Sequence, residues 1–208
     1  MRDVKSELQN IIYGNGQIGN QSQLRKIQNF LRGYACSGQG SEKQERLKSE
    51  EEKLILAAEK SNFFYAQDID ESLFISEGAE QRVYRHDGYS VIKLNSGIFY
   101  ESWLDYFNSI LIHNYFFSST SYEFLGFRFY NDSLAAVVKQ DFIVSDEVTD
   151  LALVKQFMVY NTFSNVRNND YESKLYGIIL EDLHDENVLF KDGVFYFIDT
   201  VFYLSKNF

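Results

Sequence analysis

The sequence predicts an α+β fold, with a helical N-terminal region running into short antiparallel strands and single helices. Three observations carry this expectation. Apolar residues recur at helical spacing through roughly the first 65 positions. Beyond Ala66 the pattern changes to short β-type runs bounded by turn residues. Hydrophobic residues make up 45% of the 208 and aromatic ones 17%, enough apolar surface for a core and enough to exclude wholesale disorder.

Taken in order, Val4, Leu8, Ile11 and Ile12 mark a first helix within Asp3–Ile12. The Gly/Asn/Gln stretch Gly14–Ser22 separates it from a second helical run through Leu24, Ile27, Phe30 and Leu31. Tyr34–Ser41 has the composition of a loop. A third helix begins near Ser41 or Glu42 and buries Leu47, Leu54, Ile55, Ala58 and Phe63, with Glu50-Glu51-Glu52 as its solvated face. Strands follow at Leu73–Ile75, Gln81–Tyr84 and Ser90–Leu94, the last two joined through Asp87-Gly88, a strong hairpin signal. An aromatic-rich helix spans Tyr100–Phe117, then strands Glu123–Tyr130 and Leu134–Val138. Helical spacing returns after Asp146 through Leu151, Val154, Phe157, Met158 and Phe163. Two short runs close the chain, Val188–Phe190 and Val194–Ile198, joined by Lys191-Asp192-Gly193.

Charge narrows the partners. Thirty acidic against twenty basic residues give −10, the opposite of the concentrated basic footprint that extended nucleic acid or an anionic membrane surface requires. Neither is expected as a partner, while a local pocket for one phosphate-bearing molecule is compatible with this balance. No apolar stretch approaches the ~20 residues of a membrane helix, and the N-terminus lacks the apolar core of a signal peptide. Cys36 is the single cysteine. A cytoplasmic location is expected.

Two motifs are set aside. Gly14-Asn15-Gly16-Gln17-Ile18-Gly19 matches G-x-G-x-x-G by letter, but it follows a helical run where a dinucleotide site needs a strand. It reads as a helix–helix connector. His86-Asp87 and His184-Asp185 invite a metal-hydrolase reading, yet three histidines without cysteine pairs are poor material for zinc.

The strongest signal lies near the C-terminal end. Asp182 is followed five residues later by Asn187 at the start of a short strand, and Asp199 closes the very apolar run Val194–Ile198. A carboxylate there is costly to desolvate without a partner or cation. Two oxygen ligands and a separate carboxylate are what phosphoryl transfer requires, since magnesium takes one or two carboxylates plus substrate phosphates and another Asp accepts the hydroxyl proton. Earlier, Ser76–Tyr84 around Gly78 has the form of a nucleotide-covering turn, and Lys93 is an isolated charge in Val91–Leu94. The plainer reading of Lys93 alone is a side chain snorkelling from a sheet edge.

With these residues in this order, the chain resembles the protein-kinase-like superfamily, and within it atypical branches such as aminoglycoside phosphotransferases, whose catalytic loop Glu181–Asn187 here resembles. More narrowly, Val137–Ile143, Asp182–Leu189 and Tyr196–Asp199 look like the small kinase-like domains of polyvalent proteins from phages and conjugative elements. The resemblance covers roughly residues 70–204. It implies a two-lobed fold, with a helical region over 1–66, an N-lobe over 67–142 and a reduced C-lobe over 143–208. It implies ATP and magnesium as cofactors, Asp182 as catalytic base, Asn187 and Asp199 as metal ligands, and Lys93 against the α/β-phosphates. Val138–Phe142 would be the hinge, so Gln140, Asp141 and Phe142 join Gly78 and Lys93 as nucleotide-binding candidates. Glu101 or Asp105 would hold Lys93.

Two functions follow as expectations. The first is an ATP- and magnesium-dependent phosphotransferase acting on an acceptor hydroxyl, with nucleotidyl transfer a variant on the same scaffold. The alternative is a nucleotide-binding pseudokinase or interaction module without turnover, suggested by a single glycine in the covering turn and by the nine residues after Asp199. An acceptor site is then expected to be minimal, or to come from the N-terminal helices, a partner chain or a fused neighbour.

Overall fold

The computed structural model describes residues 3–14, 23–35 and 43–208. Five α-helices and eleven strands occur among them, in the α+β arrangement that the sequence predicts. The helices are α1 (Val4–Tyr13), α2 (Gln23–Ala35), α3 (Lys43–Ser61), α4 (Trp103–Phe116) and α5 (Leu151–Tyr160). Local chemistry sets their ends. Asp3 caps α1, its carboxylate accepting from the Ser6 N–H and hydroxyl, which holds its pKa below the usual value. Gly14 closes the same helix at φ +74, its N–H returning to the Asn10 carbonyl. The rest of the Gly14–Gly19 motif lies outside the described residues, as does most of the Tyr34–Ser41 loop. No helix among the described residues is long and apolar enough to cross a membrane.

The chain divides into two compact units, each discontinuous in sequence. One comprises Ile18–Phe107 and Tyr122–Phe142. Its centre is a five-stranded antiparallel sheet in the order β1-β2-β3-β5-β4, formed by β1 (Phe74–Glu77), β2 (Gln81–Arg85), β3 (Ser90–Asn95), β4 (Glu123–Tyr130) and β5 (Ser133–Asp141). Alternation along the strands buries Tyr84, Ile92, Leu94, Ala135 and Val137 in one cluster. A separate aromatic group is built on Trp103, Tyr106, Phe107, Phe124 and Phe127, meeting mostly edge to face. Helix α2 packs on α3 and on β4.

Two expectations about this unit change. The run Glu50–Glu52 is not simply a solvated face. The Glu50 carboxylate accepts the Trp103 backbone N–H at 2.7 Å, and Glu51 accepts the Trp103 indole N–H at 3.4 Å. Phe63 falls beyond the end of α3 and serves β4 instead: its carbonyl accepts from Phe127 N–H, while Phe127 carbonyl accepts from Tyr65 N–H, both at 2.8 Å.

The other unit comprises Met1–Gln17, Asn108–Ser121 and Ile143–Phe208. It holds a four-stranded antiparallel sheet in the order β11-β8-β7-β6, from β6 (Ser164–Arg167), β7 (Asp170–Ser173), β8 (Ile178–Glu181) and β11 (Val201–Leu204). The hairpin β9 (Val188–Lys191) and β10 (Val194–Phe197) stands as a separate two-stranded sheet. Leu8 and Ile12 of α1, Ile112 of α4, and Val154 and Met158 of α5 share one core with Leu180, Val188, Phe197 and Phe202. Each such side chain contributes roughly 1.5–3 kcal/mol on burial. The hairpin was expected; β6, β7, β8 and β11 were not.

Candidate active site

Within the second unit, β8 delivers the chain to Asp182, and everything from there to β11 forms one braced turn system. Asp182 stands at φ +69, a left-handed conformation that costs an L residue about 1 kcal/mol and that Asp tolerates better than most. Its backbone N–H donates to Asp170 Oδ1 at 3.2 Å. Asn187 is buried, and its amide nitrogen donates both to the Asp182 carbonyl at 3.0 Å and to Asp182 Oδ2 at 2.9 Å. Those two bonds use both amide hydrogens and leave the amide oxygen facing elsewhere.

The third member is His184. Glu186 N–H donates to its Nδ1 at 3.2 Å, so the neutral ring carries its proton on Nε2, which lies 3.3 Å from Asp182 Oδ1. The 3.0 Å approach of Asn187 Nδ2 to the same Nε2 then sets donor against donor and is a contact rather than a bond. Asn187 thus holds Oδ2 of the Asp182 carboxylate and the His184 ring lies beside Oδ1, while the side chain stays 57% exposed. Beside it Glu181 has its pKa raised, first by burial and then by the charges of Asp170 and Asp182, with Arg167 opposing.

The sequence places Asp199 at the end of a strand, but β10 stops at Phe197, and Asp199 sits in the bend before β11. The hairpin register runs Val188↔Phe197, and one step on Ile198 N–H donates to the Asn187 carbonyl at 2.9 Å. The backbone therefore brings the Asn187 and Asp199 positions together across the strand ends. Asp199 is half-buried. A carboxylate and an amide oxygen are the hard donors that magnesium prefers. Among the described residues no group of three or more His, Cys, Asp or Glu side chains is arranged as a metal site.

The remaining candidates belong to the first unit. Lys93 is not on an edge: β3 lies between β2 and β5, and Lys93 is 3% exposed with its Nζ 5.5 Å from the centre of the Tyr122 ring. Gly78 opens the β1–β2 turn, its N–H donating to the Gln81 carbonyl at 2.8 Å. A Cβ there would meet nothing closer than that carbonyl at 4.0 Å. Asp105 accepts the Ser102 hydroxyl at 2.7 Å while Ser102 Oγ accepts the Asp105 N–H, a reciprocal cap on α4. Glu101 is exposed, just before that helix.

Gln140 is buried in β5, Asp141 is exposed at its end, and the Phe142 ring lies 3.5 Å under the Arg85 guanidinium carbon. Phe142 N–H is spent on the Tyr89 carbonyl at 2.8 Å. Antiparallel ladders alternate, so the backbone N–H and C=O of Asp141 point away from β3. The β4 ladder reaches only to Lys139, which leaves the Asp141 main chain at the open end of the sheet.

Sequence reasoning missed Ser109, His113, Thr120 and Thr200, which all bond to the segments on either side of Asp199. The available signal, for Ser109 and His113 alone, was two polar side chains at i and i+4 in the aromatic-rich helix. The family described as serine/threonine/tyrosine kinase found in polyvalent proteins matches residues 47–206. Neither the curated proteins nor the solved structures gave a match.

Proposed function

The chain belongs to the family of serine/threonine/tyrosine kinases found in polyvalent proteins, and from that premise we propose that it is an ATP- and magnesium-dependent phosphotransferase acting on a hydroxyl acceptor. The observation that carries the reading is the Asp182–Asn187 clasp. A left-handed, solvent-facing Asp whose carboxylate is clasped by a buried amide is an unusual construction for a mere loop, and strain of this kind gathers at functional sites. It falls inside the matched residues.

In this reading Asp182 takes the proton of the attacking hydroxyl, with its orientation fixed in advance by Asn187. The amide oxygen of Asn187 and the carboxylate of Asp199 hold magnesium, which supplies neutralisation of the phosphate charge. Lys93 contacts the α/β-phosphates, and the turn at Gly78 covers them through backbone groups. Asp141, whose main chain leaves the sheet unpaired by the flanking ladders, reads the adenine edge beside Gln140 and Phe142. Catalysis is then positioning and electrostatic stabilisation rather than covalent chemistry by the protein. The kinase-like two-lobed arrangement belongs to this same proposal.

Calorimetric titration of ATP with and without magnesium tests it. Wild type is expected to bind in a magnesium-dependent way, and Asp199→Ala to lose that dependence. Phosphate release from ATP, with water as the acceptor, is expected to fall roughly 10²–10⁴-fold in Asp182→Asn while binding persists. Absence of ATP binding under either condition sinks the reading. A second reading, a nucleotide-binding module without turnover, draws on Gly78: its turn makes no conformational demand for glycine. Magnesium-dependent binding with no phosphate release from wild type, and no effect of Asp182→Asn, would favour it.

A further inference from the structure

On helix α4 the polar side chains of Ser109 and His113 lie one turn apart on the same face and are 1% and 0% exposed. Burying such groups is costly unless every polar atom is bonded. Ser109 Oγ accepts the Phe202 N–H at 2.9 Å. His113 Nε2 lies 3.0 Å from the Thr120 carbonyl, and Nδ1 lies 2.8 Å from the Thr200 hydroxyl. A carbonyl only accepts, so Nε2 carries a proton, and in the neutral ring Nδ1 accepts from Thr200. Thr120 in turn donates its hydroxyl to the Phe197 carbonyl at 2.5 Å.

These bonds bracket one residue. Phe197 and Ile198 are tied on the near side of Asp199, Thr200 and Phe202 on the far side. We propose that His113 and Thr200 are positioning residues that fix the Asp199 carboxylate for magnesium, a role that rests on the reading of Asp199 as a metal ligand. Asp199 lies in a bend, outside the registers that pair β10 with β9 and β11 with β8. The histidine–threonine bond adds a restraint at the residue next to the carboxylate, so its effect on a metal ligand is transmitted through the backbone.

The test is calorimetric titration of ATP, with and without magnesium, into the full chain as wild type, Thr200→Val and Thr200→Ser. Valine keeps the shape and removes the hydroxyl; serine keeps the hydroxyl. Thr200→Val is expected to weaken magnesium-dependent binding roughly ten- to hundredfold, to leave magnesium-free affinity within about twofold, and Thr200→Ser to restore wild-type behaviour. Wild-type magnesium-dependent affinity in Thr200→Val overturns the proposal and leaves the phosphotransferase reading standing. An equal loss with and without magnesium marks a purely structural bond and also overturns it. Absence of magnesium-dependent binding in wild type overturns the phosphotransferase reading and this proposal with it. Nitrogen NMR of wild-type His113 is a second measure should Thr200→Val not fold: a neutral ring protonated at Nε2 is expected, and any other protonation pattern overturns the proposal.

Discussion

Asp182 shows what a single position can carry: its φ of +69, the amide of Asn187 on one oxygen and the ring of His184 near the other all act on one carboxylate. The Asp182-to-Asn187 spacing was legible because both members of the clasp lie within six consecutive residues. The partners of Thr200 were not, since His113 stands 87 residues away and nothing local announces the bond. Glycine is a second residue-scale case. Gly126 sits at φ +149 in β4, and a Cβ there would lie 2.6 Å from the Phe63 carbonyl oxygen and 2.9 Å from the Tyr65 nitrogen. Both atoms are backbone and cannot yield. Gly126→Ala is expected to destabilise the protein by about 2 kcal/mol or more, read as a lower denaturation midpoint in urea. Gly78→Ala, with open space and no positive φ, is expected to leave that midpoint unchanged.

At the scale of elements, β3, β4 and β5 of the first unit were readable because they run six, eight and nine residues and are largely apolar. Glu123–Tyr130 is strand β4 over those same residues. The strands β6 and β7 are four residues each, polar and joined by a tight turn with Asn168 at φ +44, so period-2 alternation never accumulates. Strand β11 follows the β9–β10 hairpin with only Ile198, Asp199 and Thr200 between, and no glycine or proline marks the break. The contact of α3 with α4 is another element-level fact. Half-burial against the Trp103 indole raises the pKa of Glu51 above the ordinary glutamate value, with the indole hydrogen bond partly opposing. The folded state therefore holds this proton more tightly than the unfolded chain, and stability falls as pH rises from the unfolded value through the raised one. Glu51→Gln removes that loss. Its melting temperature is expected to exceed that of wild type at neutral pH, with the difference closing as pH falls below about 4.5. A difference that widens toward acid would contradict the assignment.

For the whole molecule, net charge is the property that needs no structure. Thirty acidic residues against twenty basic ones predict that duplex DNA is not bound at physiological salt. Gel-shift titration with a short duplex should show no complex, and a salt-sensitive shift would contradict this. The division into two compact units is a property of the same scale that no local pattern announces. Each unit gathers separated segments, and α1 falls in one while α2 and α3 fall in the other. Helix α4 shows the same thing in miniature: its residues through Phe107 count with one unit and those from Asn108 with the other. A boundary inside an unbroken helix leaves no Gly, Pro or change in periodicity to read.

The sequence by itself determined the α+β class, the three N-terminal helices, the first-unit strands, the charge, and the order Lys93, Asp182, Asn187, Asp199 that carries the kinase likeness. These follow from local spacing and side-chain chemistry, which act over a few residues. The tertiary structure decided that Lys93 lies buried in a central strand, that Glu50 and Glu51 meet Trp103, and that His113 reaches Thr200 beside Asp199. Such pairings form only when distant segments share one core, because a buried donor takes whatever acceptor the fold brings within about 3 Å.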